Sequence, residues 1–141
     1  MFQTFKSGQK QPPRAFFHVF FIKFEVSVDG FECGGHPGED DVTNWVLQPL
    51  AARKLKIPFI ASGACGDGKQ LAAALALGCE GMNCGTRFMA CAEAPVHQKI
   101  KDAIINASER DTSLILRSLN NTERVFKNET VKKVQSIEKQ H

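Results

Sequence analysis

The chain has 141 residues, 43% of them hydrophobic and 23% charged, which suits one globular domain with a real core. A formal net charge of +3, carried by scattered lysines and arginines, argues against a nucleic-acid partner, and there is no run of roughly 18 apolar residues to span a membrane. Five cysteines without a C-x-x-C pair argue against a disulfide framework and against a zinc or other metal site, so Cys33, Cys65, Cys79, Cys84 and Cys91 read as reduced, small core residues of an intracellular protein.

The first segment, residues 1–25, has lysines and one arginine but no acidic residue before Glu25. Residues 3–14, with Pro12-Pro13, read as loose polar chain. Ala15 to Phe24 is a dense aromatic run, too short for a membrane span and without a small-residue cleavage site, and it reads as a strand or helix burying phenylalanines. Val26 to Cys33 is the next predicted strand. It leads into the glycine turn "ECGGHPGED", residues 32–40, where His36 lies between Gly34-Gly35 and Pro37-Gly38. A histidine projecting from such a turn can act as base or donor near neutral pH, and an ordinary solvated loop histidine stays open beside that reading. Val42, Trp45, Val46 and Leu50 follow helical spacing, with Thr43 or Asn44 as cap. Pro49 implies either a kink or a first turn capped by Gln48, and Ala51 to Leu55 continue helical.

Residues 57–88 form the most regular stretch. Ile57, Phe59 and Ile60, closed by Ser62 and Gly63, predict a buried strand, and glycines then crowd at positions 63, 66 and 68. Leu71 and Leu75 mark a helix running from Lys69 to a C-terminal glycine at Gly78. Glu80 to Cys84 predicts a second strand, ending in the turn Gly85-Thr86. Parallel strands joined by a helix put their turns on one edge of the sheet, where α/β proteins bind ligands. Small residues let N–H groups line a cup there, and the helix starting near Gly68 adds its positive end; a phosphate fits such a cup, and two bland turns remain the alternative.

Downstream, Pro95 opens an amphipathic helix with Val96, Ile100, Ala103, Ile104 and Ala107 on one face, and His97 reads as a solvated helix residue off that face. Residues 108–113 read as a charged turn. Leu114 to Leu116 is an apolar run of open type, and Lys127 to Gln140 reads as a polar surface helix fraying at its end.

Three stretches, "GFECGGHPGED", "IPFIASGACGDGKQLAAALALGCEGMNCGTRFMA" and "EAPVHQKIKDAIINASERDT", together resemble the C-terminal half of the nitronate monooxygenase family, in the family's order and spacing, from about Val26 to about Lys127. Members are FMN-dependent (β/α)8 barrels, so the resemblance implies a partial TIM barrel, about its last three βα units. The strand ending at Gly34-Gly35 would be the sixth, Ile57 to Ser62 the seventh, and Met82 to Gly85 the end of the eighth. The resemblance also implies FMN, its phosphate held by backbone around Ser62, Gly63 and Ala64 and around Cys84, Gly85 and Thr86, with Gly34 and Gly35 close to the flavin. His36 matches the family's active-site base, acting on an alkyl nitronate or nitroalkane, with O2 as co-substrate and a carbonyl compound and nitrite as products.

Two departures follow from the same comparison. Ala64 stands where the family usually has glycine; at positive φ it costs roughly 1 kcal/mol and weakens FMN binding. Residues 1–25 match nothing in the family, which divides the chain into an unmatched leader, the half barrel at 26–128 and a polar tail at 129–141. A half barrel leaves an open sheet edge and an exposed face, so the expectations are an added strand or helix from the leader, self-association through that face, and a truncated chain of weak or no activity. An FMN-dependent enoyl-acyl-carrier-protein reductase is the second enzymatic reading, and a non-catalytic fragment or interaction module the reading of another class. The expected compartment is the cytoplasm, with a mitochondrial presequence as the alternative.

Overall fold

A computed structural model of the protein describes residues 21–22 and 25–140. The leader expectations for residues 1–20 and 23–24 therefore lie outside the described residues. Two residues of that leader, β1 (Phe21–Ile22), pair antiparallel with β2 (Glu25–Asp29) at one side of a four-stranded sheet. Beyond β2 the sheet continues with β3 (Phe59–Ser62) and β4 (Gly81–Asn83), both parallel to it. Register sets Asp29 beside Ser62 and Ser62 beside Asn83, so three parallel strands end level on one rim.

Alternation along the strands builds the core. Val26 and Val28 of β2 and Phe59 and Ala61 of β3 point to one face. There they meet Leu47 and Ala51 of α1 (Asn44–Lys54), Ala74 of α2 (Gly68–Ala76) and Cys79. Gln48 is buried among them, but its amide is satisfied: Nε2 donates to the Val28 carbonyl at 2.9 Å, and Oε1 accepts from the Cys79 thiol at 3.5 Å.

Two local expectations need correction here. The strand expected over Val26 to Cys33 ends at Asp29, because the chain folds back through a turn closed by Cys33 N–H donating to the Gly30 carbonyl at 3.0 Å. Of the two readings of Pro49, the first turn capped by Gln48 does not hold: Pro49 lies inside α1, whose N-cap is Thr43, one of the two expected caps. The Thr43 side chain makes no cap bond. Instead the Glu32 carboxylate accepts from the Asn44 N–H at 3.0 and 3.1 Å, placing a negative charge at the positive helix end. The end of α2 follows expectation, with Gly78 at φ +96 directly after the Leu77 C-cap, where a Cβ would sit 2.9 Å from Ala52 Cβ.

After β4 come a four-residue helix, α3 (Thr86–Met89), and then α4 (Gln98–Ile105). Its expected apolar face is only partly covered: Val96, Ile104 and Ala107 are half-buried but Ile100 is 48% exposed, and the fully buried helix residue is Lys101, whose Nζ donates to the Ala92 carbonyl at 2.9 Å. His97 is the N-cap of α4 rather than a helix residue, its Nδ1 accepting from Lys99 N–H at 3.1 Å. The apolar run at Leu114 is part of β5 (Thr112–Ile115), paired antiparallel with β6 (Glu123–Phe126), a strand without clear alternation in the sequence. A short 3-10 turn at Arg117–Leu119, flanked by Leu116 and Asn120 in left-handed conformation, joins them. The chain closes with α5 (Glu129–Glu138), capped by the Asn128 side chain.

Candidate functional site

The rim at the ends of β2, β3 and β4 carries three loops, residues 30–43, 63–67 and 84–85, and the structure brings all three together. The turn at Gly63 abuts the first loop: a Cβ added there would lie 2.9 Å from the Cys33 backbone nitrogen, and the residue sits at φ +90, so only glycine fits. Asn44, at the start of α1, donates from Nδ2 to the carbonyls of Ser62 at 2.9 Å and Gly63 at 2.7 Å, latching the first loop's helix onto the second turn. Asn83 donates to Ser62 Oγ at 3.4 Å, and Arg87 Nε donates to the Gly66 carbonyl at 2.6 Å, linking the third turn to the second.

Ser62 is buried at the end of β3, with Gly63 and the exposed Ala64 following it. Ala64 adopts φ +53, the left-handed region that an alanine rarely enters. Half-buried Cys84 and exposed Gly85 and Thr86 occupy the matching positions after β4. Among the described residues, the N–H groups of Gly63, Ala64, Gly85 and Thr86 have no hydrogen-bond acceptor. A Cβ added at Gly34 or Gly85 would meet nothing within 4 Å, so these glycines face open space rather than protein. Unpaired backbone N–H groups on both turns are donors of the kind an anion needs.

The start of α2 is partly satisfied from within, and the N–H groups of Gly68 and Lys69 have no acceptor among the described residues. Asp67 caps it, accepting from Gln70 N–H at 2.9 Å, and Gln70 Oε1 takes the N–H groups of Gly66 at 2.7 Å and Asp67 at 3.0 Å.

His36 is exposed on the first loop, directly after Gly35 at φ +79, and its side chain has no hydrogen-bond partner among the described residues. Its backbone is held from the side of the β5–β6 hairpin. Gly35 N–H donates to the Arg124 carbonyl at 3.0 Å, and Arg124 N–H donates back at 2.6 Å. Burial, then the nearby Asp29 carboxylate, pushes the Cys33 thiol up to about 11. Burial, then Cys84, does the same to Cys65. Both thiols stay protonated at neutral pH and offer no nucleophile beside the rim.

Asn44, Asn83, Arg87 and Arg124 escaped the sequence reading as rim residues. Asn44 stood out only as a cap, and the other three had no local signal because their partners lie on distant segments.

A family model for nitronate monooxygenase matches residues 25–141. The chain belongs to the nitronate monooxygenase family. A probable nitronate monooxygenase from Bacillus subtilis (strain 168) is 38% identical over 96 residues, covering 63% of this chain and 28% of that protein. Among solved structures, FabK from Thermotoga maritima is 42% identical with a TM-score of 0.76, over 81% of this chain and 36% of that one. Nitroalkane oxidase from Streptomyces ansochromogenes is 28% identical with a TM-score of 0.65, over 77% and 34%. These neighbours are TIM barrels, so the three parallel βα units are those of a partial (β/α)8 barrel. The family is one of oxidoreductases. The chain spans about a quarter to a third of the length of these relatives. No helix among the described residues is long and apolar enough to cross a membrane.

Proposed function

We propose that this chain carries the flavin rim of an enzyme that oxidises alkyl nitronates with O2. The observation that supports this most is the level ending of three parallel strands, with unpaired N–H groups at Gly63 and Ala64 in the turn after β3 and at Gly85 and Thr86 in the turn after β4. In this reading those donors, with Ser62 and Cys84 shaping the turns, hold the FMN phosphate. Gly34 and Gly35 leave room for the ring system, because neither bears a side chain and a Cβ at either would meet nothing nearby. His36 projects from the same loop and takes the proton from the carbon next to the nitro group, or holds the nitronate by a hydrogen bond. FMN, when bound, supplies the electron transfer by which nitronate and O2 become a carbonyl compound and nitrite. The free thiols are consistent with the reducing cytoplasm as its compartment.

The test is flavin absorbance of the purified protein with and without added FMN, followed by oxygen uptake with an alkyl nitronate and with its parent nitroalkane. The expected results are a saturable FMN spectrum and uptake with both. Uptake with the nitroalkane, which still carries the proton to be removed, should fall by about a hundredfold in His36→Ala, the range of one general base. FMN binding without any response to nitronate would defeat the substrate assignment. A second reading, an FMN-dependent enoyl-acyl-carrier-protein reductase, draws on the likeness to FabK. NADH oxidation that requires an enoyl thioester would select it.

A further inference from the structure

The loop that carries His36 is tied to the β5–β6 hairpin at four places. Behind the histidine, the Arg124 backbone exchanges two hydrogen bonds with Gly35, and its guanidinium reaches further back to Phe31. Nη2 donates to the Phe31 carbonyl at 3.2 Å, and the group lies over the Phe31 ring with its carbon 4.8 Å from the centroid. Nη1 donates to Thr112 Oγ1 at 3.3 Å, anchoring the same group to β5. Ahead of the histidine, Glu39 accepts from the backbone N–H of buried Thr122 at 2.8 Å and from its hydroxyl. Asp41 pairs with Arg117 at 2.6 Å.

These ties differ in strength. The Asp41–Arg117 pair is half exposed, and such pairs contribute little. The Arg124 group is different. Its Nε is buried with no hydrogen-bond partner among the described residues, an arrangement that costs stability. A fold that only needed a β6 strand could place a valine there. The guanidinium instead joins three segments, and the peptide it belongs to is bonded to the residue immediately before His36.

We propose that Arg124 is the positioning residue for His36, and that the hairpin is a clamp setting where the imidazole stands on the rim. This rests on the reading of His36 as the acting base. Arg124 touches no substrate in this scheme; it acts through Phe31 and Gly35. The clamp also explains why a short hairpin far along the chain docks on the first loop of the rim.

The test compares Arg124→Met, which keeps the aliphatic stem and the backbone ladder, with Arg124→Lys, which restores the charge without the fork. In the Met variant, amide hydrogen exchange at Gly35 should rise about tenfold while Ala61 and Met82 in the sheet exchange as before. The His36 imidazole resonance should shift or broaden, and the Lys variant should recover part of both. With FMN supplied, nitroalkane-dependent kcat should fall about tenfold with KM little changed, as expected for a displaced base. An unaltered His36 resonance with unaltered Gly35 exchange would overturn the proposal, and so would exchange rising equally throughout the sheet. If wild type and His36→Ala turn over the nitroalkane equally, the functional reading fails by itself, and the exchange and resonance data still decide the clamp.

Discussion

Ala64 is the residue at which the family pattern, the backbone and the chemistry disagree. Its φ of +53 is a conformation for which glycine is the ordinary choice. Replacing it, Ala64→Gly, should relieve about 1 kcal/mol of strain, partly offset by the greater freedom of glycine in the unfolded chain. If the loop already holds this conformation alone, the gain appears as a higher unfolding midpoint. If FMN holds it there, the gain appears as up to about fivefold tighter FMN binding. Identical midpoints and identical titration curves would contradict the strain argument. The thiols give a second prediction. Cys33 and Cys65 have their ordinary value of 9.0 in the unfolded chain and about 11 in the fold. Between those values the unfolded chain loses protons that the folded one keeps, so stability is full below pH 9 and falls as pH rises toward 11. Denaturant midpoints measured along that range should decline, and the decline should shrink in Cys33→Ala. At this scale the sequence was readable wherever a residue's role is set by its neighbours, as at Gly63 and Gly78. It was silent on Arg124, whose partners are 89 and 93 positions away, at Gly35 and Phe31.

Among the elements, the three βα units were legible because their signals are local. β3 is an apolar run closed by Ser62, α2 has leucines a turn apart and a terminal glycine, and β4 follows directly. The β5–β6 hairpin was not, because β6 reads Glu-Arg-Val-Phe with no clean alternation, and its bridge to the rim loop joins residues far apart in the chain. The amphipathic face of α4 was legible as a pattern but is only partly covered, since a pattern states what a helix can cover and not how completely a partner covers it. α1 offers the sharpest test at this scale. Asn44 joins it to the β3 turn through the carbonyls of Ser62 and Gly63, and Asn44→Ala would leave both without that donor. Stability should drop by about 1–3 kcal/mol, measured by chemical denaturation, with a further loss of FMN binding. A variant as stable as wild type would mean that water replaces the latch at no cost.

At the scale of the whole molecule, the described residues leave many large apolar side chains in solvent. Trp45 is 73% exposed and Phe88 64%, with Ile105 at 66%, and the outer edge of β4 pairs with nothing among the described residues. We therefore predict self-association: sedimentation should show dimers or larger species whose proportion rises with concentration, and a strictly monomeric profile would refute it. That surface could not be read from composition, because 43% hydrophobic residues is an ordinary proportion and says nothing of which ones are covered. One detail of α2 has a consequence for how such a protein behaves when empty. The helix completes its own first turn with Asp67 and Gln70, so its winding never waits for a visitor at the rim. Departure of a bound phosphate would uncover a few peptide groups to water and leave the scaffold wound, so the apoprotein should be a ready receptacle rather than a chain that must refold around its cargo.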